Sequence, residues 1–200
     1  MLIDHLMNVS SNVSWFHDTK CLDDEDVTIF LSYEKIVDNK VLKKSKNNIV
    51  IHESNLPHGS GWSPLTWQIL EGKNNIPITL FEATKDVDSG NIYLRDFINL
   101  AGNELVDEIR NKQFLSSLEL IKKFFNNYPL ILKKSVKQTG TKTIYKKRSP
   151  KDSKIDINKS IKDQFELLRV VDNKKYPAWF SYKNKKYKLL VEPIKKNQKL

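Results

Sequence analysis

Two short segments hold the residue types best suited to moving protons. The first is His52-Glu53-Ser54-Asn55-Leu56-Pro57-His58-Gly59-Ser60-Gly61-Trp62-Ser63-Pro64, and the second is Asp86-Val87-Asp88-Ser89-Gly90. An unperturbed imidazole titrates at ~6.5, so a histidine with a carboxylate at hand is suited to acid–base work near neutral pH. His52 stands where an apolar run stops and a glycine-bearing loop turns toward a helix. In open α/β sheets ligands bind at that edge of the strands. Asp88-Ser89-Gly90, taken alone, is an ordinary turn sequence. The four histidines, His5, His17, His52 and His58, are not spaced as in H-E-x-x-H, and Cys21 is the only cysteine. That excludes an intrachain disulfide and a cysteine-rich zinc site, and no metal is expected.

The flanking sequence supplies elements that could position both segments. Residues 27 to 32, Val-Thr-Ile-Phe-Leu-Ser, read as a strand buried on both faces, and Ile49-Val50-Ile51 as a second strand ending at His52. Ser63-Pro64 reads as an N-cap with proline at the first helical position, and Gly72 closes that short helix. Further strands are predicted from Ile78 to Phe81 and from Asn91 to Ile98. Asn103 opens the longest helix, with Val106, Ile109, Leu118, Ile121 and Phe125 near one stripe and Pro129 as its stop. Strands alternating with helices predict an α/β fold with a Rossmann-like, mostly parallel sheet.

Little apolar periodicity follows from Lys133 to Ser153, which reads as a surface connection. A helix is predicted over 158–171, with Ile161, Phe165 and Leu168 on one face. Residues 176–182 and 187–191 form a hairpin around Lys183 to Lys186, before a tail from Lys195 to Leu200. The chain thus divides into a short N-terminal segment (1–26), a catalytic α/β domain (27–132) and a basic connection with helix and hairpin (133–200).

The formal net charge of +10 is unevenly distributed. Residues 133–200 hold 21 Lys and Arg against 6 Asp and Glu, while the first 132 residues hold 13 against 18. A basic third attached to an acidic body suits a phosphate-bearing ligand as well as a solvated face. Lysine dominates, whereas base readout favours arginine, so nucleic acid is not the expected partner. No apolar run reaches the ~20 residues of a spanning helix, and Met1-Leu2-Ile3-Asp4-His5 does not read as a secretory signal. With its lone cysteine, the chain is expected to be cytoplasmic.

In order and spacing, the two segments resemble the formyltransferases that use 10-formyltetrahydrofolate. His52 precedes Ser54-Asn55-Leu56-Pro57 and Gly61, and Asp88, in Asp88-Ser89-Gly90, lies 36 residues beyond it. Pro64-Leu65-Thr66-Trp67-Gln68, Pro77-Ile78-Thr79-Leu80-Phe81-Glu82, Tyr145-Lys146-Lys147-Arg148-Ser149-Pro150 and Tyr176-Pro177-Ala178 also resemble family segments. The resemblance implies a formyltransferase fold and 10-formyltetrahydrofolate as co-substrate. It assigns catalysis to His52 and Asp88, and folate binding to Ser54, Asn55, Leu56, Pro57 and Asp88. An amine would attack the formyl carbon, a tetrahedral oxyanion would form, and the amine would lose a proton. The histidine would move that proton or bond the oxyanion, and the aspartate would orient the ring.

Two departures are visible. The family's asparagine two residues before the histidine is Val50 here, which leaves Asn48 as the substitute donor to consider. The family's opening strand–helix–strand unit is mostly lacking, since only about 25 residues precede the first strand. Missing strands would leave a surface uncovered, so a partner subunit (a homodimer, for example) or poor solubility is expected.

About 50 residues follow Pro150, fewer than the tRNA-binding domain of methionyl-tRNA formyltransferases needs. The chain is therefore closer to the small enzymes acting on nucleotide-linked 4-amino-4,6-dideoxy sugars for surface polysaccharide. Trp62, Lys147, Arg148, Arg169 and Trp179 are the candidates for holding that sugar nucleotide. The alternatives are a folate- or nucleotide-sugar-binding remnant with little turnover, and a methionyl-tRNA formyltransferase-like protein.

Overall fold

The computed structural model describes residues 12–33 and 35–194. His5, the start of the 1–26 segment and the expected tail from Lys195 to Leu200 lie outside the described residues. In chain order the elements are β1 (Glu25–Phe30), α1 (Asn39–Leu42), β2 (Ser45–His52), β3 (Ser60–Gly61), α2 (Pro64–Leu70), β4 (Asn75–Glu82) and β5 (Ile92–Asn99). They continue with α3 (Val106–Asn126), β6 (Ile144–Tyr145), α4 (Phe165–Val170), β7 (Ala178–Tyr182) and β8 (Lys185–Leu189), with short 3-10 turns between.

The main sheet has the order β1-β2-β4-β5. The α/β class expected from the sequence is present, but the sheet is mixed. β1 and β2 are parallel, whereas β2 with β4 and β4 with β5 are antiparallel. An unbroken apolar strand reports that both faces are covered and says nothing about direction. The β4–β5 connection, residues 83–91, is too short to house a crossover helix, so it closes an antiparallel pair.

Ile49, Ile76, Ile78, Leu80 and Ile98 from the sheet meet Leu65 and Ile69 from α2 and Ile109, Leu120, Ile121 and Phe124 from α3 in one core. Of the residues expected on the α3 stripe, Phe125 sits at the core's margin and Val106 is half-buried outside it. Phe124 takes the inner place, its ring edge-on to Tyr93 at 5.4 Å between centroids. The helix starts at Val106 rather than Asn103 because the Glu104 carboxylate is drawn to the Ala101 and Gly102 amides (2.6 and 3.0 Å). Glu108 then accepts from the Leu105 amide at 2.9 Å, closing the first turn.

The helix expected over 158–171 shrinks to α4. Upstream, Asp156 and Ser160 bond the amides of Asn158 and Asp163 at 3.0 and 3.1 Å, which favours turns over helix, and Ile161 is left exposed. Leu168 does face inward, joining Ile155, Val171 and Ala178 in a small second core under the hairpin. The hairpin turns on Lys183-Asn184, both at positive φ (44° and 65°), a two-residue turn tighter than the four residues expected.

Candidate active site

β2 delivers His52 to its carboxyl end, and period-2 alternation puts Val50 on the same face. In the loop that follows, the Gly59 carbonyl lies 2.9 Å from His52 Nε2. A carbonyl only accepts, so Nε2 carries the ring proton and Nδ1 holds the lone pair of the neutral ring. Asp88 Oδ2 stands 3.9 Å from the same Nε2 and accepts the Gly61 amide at 2.8 Å. Both side chains are nearly closed off, 10% and 11% exposed. Asp88 adopts φ 55°, a left-handed conformation that aspartate tolerates better than most residues. Gly90 fixes where this turn leaves the sheet, since a Cβ there would lie 1.7 Å from the Glu82 carbonyl. The structure thus brings together His52 and Asp88, the pair to which the formyltransferase resemblance pointed.

Besides Asp88, the residues expected to hold folate, Ser54 to Pro57, form the loop beside the pair. Leu56 is buried against Phe81 and Ile92, Asn55 is exposed and Pro57 is half-buried. Thr79 Oγ1 donates to the Ser54 carbonyl (2.7 Å) and Arg95 Nη2 to the Leu56 carbonyl (2.8 Å), so two neighbouring strands hold the loop. The Ser54 hydroxyl is buried without a hydrogen-bond partner.

Asn48 does not join this site. Four residues along an extended strand place it ~13 Å from His52. Its amide nitrogen donates to the Leu42 carbonyl at 2.9 Å and leans toward that of Ser45 at 3.4 Å. The shared strand face was readable from the sequence, but the demand of the α1 carbonyls for a donor was not. Val50 sits in register with Phe30 and Phe81 and packs on the Leu56–Phe81–Ile92 cluster, offering no donor. Beyond it, Glu82 accepts from the Asn48 amide (2.6 Å) and the Tyr93 hydroxyl (2.7 Å). Burial raises its carboxyl above the usual range, against those hydrogen bonds.

The candidate acceptor residues separate. Trp62 is 39% exposed on the loop with the Lys147 ammonium 4.5 Å from its ring centroid, so these two form one platform. Arg148 turns inward, donating to the Asp152 carbonyl at 3.0 Å, and burial pushes its pKa down. Trp179 is engaged on the hairpin, where its indole N–H donates to the Pro150 carbonyl at 2.7 Å between the ammonium groups of Lys154 and Lys186. Arg169 is a correction. It is fully buried and spends its guanidinium on Glu104, Asn74 and Glu166, so it holds α4 to the α/β core and is not available to a phosphate.

Sequence reasoning overlooked residues 136–145, read as a surface connection. This strap pairs Val136 with Ile92 and runs β6 parallel to β3. Thr143 Oγ1 accepts the Gly59 amide at 2.8 Å, and Gln138 Nε2 donates to the Asp88 and Gly90 carbonyls at 3.0 and 2.8 Å. Tyr145 stacks on Trp67 (6.3 Å, 11°) and donates to Glu71 at 2.8 Å. A two-residue strand is too short to show periodicity. Gly59 and Gly61 carried the available signal, since a Cβ at Gly61 would lie 2.5 Å from the Tyr145 carbonyl, which marks a close backbone approach.

Among the described residues no cluster could hold a metal ion and no helix is long and apolar enough to cross a membrane. The family profile described as formyl transferase matches residues 20–117. The chain is 30% identical over 162 residues to the bifunctional polymyxin resistance protein ArnA of Wigglesworthia glossinidia brevipalpis, covering 78% of this chain and 24% of that protein. It is 29% identical over 170 residues to the methionyl-tRNA formyltransferase of Rickettsia prowazekii (strain Madrid E), covering 84% and 55%. The chain thus spans about half the length of the second relative and a quarter of the first. In fold it is similar to a 4-N formyltransferase from Francisella tularensis (TM-score 0.69, 18% identity, 88% of this chain and 76% of that one). It is also similar to HypX from Aquifex aeolicus in complex with tetrahydrofolic acid (TM-score 0.65, 18% identity, 84% and 29%). The strand ending in His52 and the turn presenting Asp88 to it both lie within the matched segment, so residues 20–117 form a formyl transferase domain.

Proposed function

We propose that this chain transfers a formyl group from 10-formyltetrahydrofolate to the amine of a nucleotide-linked 4-amino-4,6-dideoxy sugar, in the cytoplasm. The observation that carries the reading is the closed-off pairing of His52 with Asp88 beside the Gly61 amide. The bound co-substrate supplies the formyl group, and the exposed Asn55 and half-buried Pro57 of the 54–57 loop are the groups to hold it. Transfer makes one C–N bond at the acceptor and breaks one at the donor, and the proton lost by the amine ends on the departing nitrogen. In this reading His52 relays that proton, and the Asp88 carboxylate offsets the ring's charge while it holds two. Trp62 with Lys147 offers a stacking face and a cation for the nucleotide part. The test is purified chain with dTDP-4-amino-4,6-dideoxyglucose, its UDP analogue and methionyl-tRNA in parallel, each with formyl donor, read by mass spectrometry. Formylated sugar supports the proposal. Formylated methionyl-tRNA alone, or no product at all, sinks it.

Val50 supports a second reading, a binding remnant with little turnover, because the donor the family resemblance places there is absent and Asn48 does not replace it. The remnant is stabilised by folate in a thermal melt yet forms no product. Val50→Asn separates the two readings. The swap keeps volume and restores an amide two residues from His52, so kcat should rise ~100–1000-fold with KM little changed. The new buried amide should cost ~1–3 kcal/mol of stability. An unchanged rate in a folded, folate-binding variant would show that another group already serves as donor.

A further inference from the structure

Asp88 is useful only if its carboxylate stays between His52 Nε2 and the Gly61 amide, yet it sits on a left-handed turn outside the sheet. The turn's own side chains secure its first half. Thr84 Oγ1 and Ser89 Oγ both donate to the Asp86 carbonyl, at 3.0 and 2.7 Å. Its second half is secured from the strap. One amide nitrogen, Gln138 Nε2, donates to the carbonyls of Asp88 and Gly90, on either side of Ser89. An amide nitrogen carries two hydrogens, so both bonds can form at once and span the peptide units that set the direction of the Asp88 side chain. Gln138 is itself fixed at both ends. Val136 exchanges two backbone bonds with Ile92 (2.8 and 2.9 Å), and Thr143 accepts the amide of Gly59, the residue whose carbonyl receives the His52 proton.

We infer that Gln138 is a positioning residue, which holds the Asp88 carboxylate against His52 and ties the aspartate turn to the histidine loop through one strap. Its kinetic consequence rests on the formyl-transfer reading, and its structural consequence does not. Lys142, whose ammonium reaches the Val87 carbonyl at 3.2 Å from an exposed position, is the natural control. Gln138→Glu is nearly isosteric but faces two carbonyls with acceptors. Gln138→Ala removes the clamp, and Gln138→Lys keeps a donor at the same place.

The full chain and these four variants are compared by amide NMR and hydrogen exchange, with Asp88→Asn as the reference for a lost carboxylate. The Gly61 amide proton should move toward its Asp88→Asn position in Gln138→Ala and Gln138→Glu. Exchange over residues 86–90 should quicken ~10-fold or more in both. Gln138→Lys should restore both signals, and Lys142→Ala should leave them unchanged. In the assay, kcat should fall ~10–100-fold with KM for both substrates within about twofold. Unchanged Gly61 and 86–90 signals in Gln138→Ala and Gln138→Glu overturn the inference, as does a loss of Tm with KM and kcat falling together. If the parent chain has no formyl transfer at all, the function reading fails, and the NMR comparison still decides the role of Gln138.

Discussion

His52→Ala should remove ~100–10,000-fold of the formyl-transfer rate, the range a positioned acid–base group contributes. The loss should lie in kcat, because the ring's proton is held by the Gly59 carbonyl, with Asp88 nearby, rather than by the 54–57 loop that would bind folate. The variant also strips the Gly59 carbonyl of its donor, at ~1–3 kcal/mol. Rates must therefore be compared at a temperature where circular dichroism shows both proteins folded. Asp88→Asn keeps the shape and can still accept from the Gly61 amide, but it cannot offset a charged ring, so its rate should also fall ~100-fold or more. A His52→Ala rate within tenfold of the parent would remove the histidine from the chemistry.

Arg169→Ala should destabilise the fold by ~3–5 kcal/mol, the cost of breaking a buried ion pair by deleting one partner. Arg169 Nη2 lies 2.9 Å from Glu104 Oε2 with no exposure at the guanidinium, and Lys112 approaches the other oxygen at 2.6 Å. Urea unfolding at pH 7 measures the change. A loss below ~1 kcal/mol together with weakened nucleotide-sugar binding would instead return this arginine to the ligand site. The same cluster shapes the acid limb of stability. Burial pushes the Glu104 carboxyl up, but hydrogen bonds from Lys112 and from the Ala101 and Gly102 amides outweigh it and hold the group at about 2. An unfolded glutamate titrates at ~4.3, so this contribution is complete above that value and is lost as pH falls through it toward about 2. Glu104→Gln should flatten that limb.

Residues whose type and local pattern agreed were readable in advance. β2 and its terminal histidine followed from a short apolar run meeting a glycine-bearing loop, whereas Asp88, in an ordinary turn sequence, stood out only through the resemblance to formyltransferases. What escaped depends on facts outside any local window. The direction of β5 against β4 is set by how short the connection between them is, not by which residues are apolar. Asn48 shares a face with His52, but the Leu42 carbonyl claims its side chain. Arg169 is a cation like Lys147 in sequence, yet one meets a buried carboxylate and the other an exposed indole. The strap escaped because its hydrogen bonds are long-range and its strand is two residues long. Gln138 to Asp88 spans 50 positions and Thr143 to Gly59 spans 84.

The strap that carries Gln138 and Thr143 continues directly into Lys146 and Lys147 beside the Trp67 and Trp62 rings. Under the proposed function, acceptor choice and catalytic alignment would share one stretch of backbone and not be modular. A graft that exchanges residues 136–148 for another family member's segment, intended to change which amine is accepted, also resets the seat of the aspartate. Laboratory evolution of acceptor range should accordingly pass through slow intermediates, with recovery coming from second changes in the 86–90 turn rather than in the graft itself.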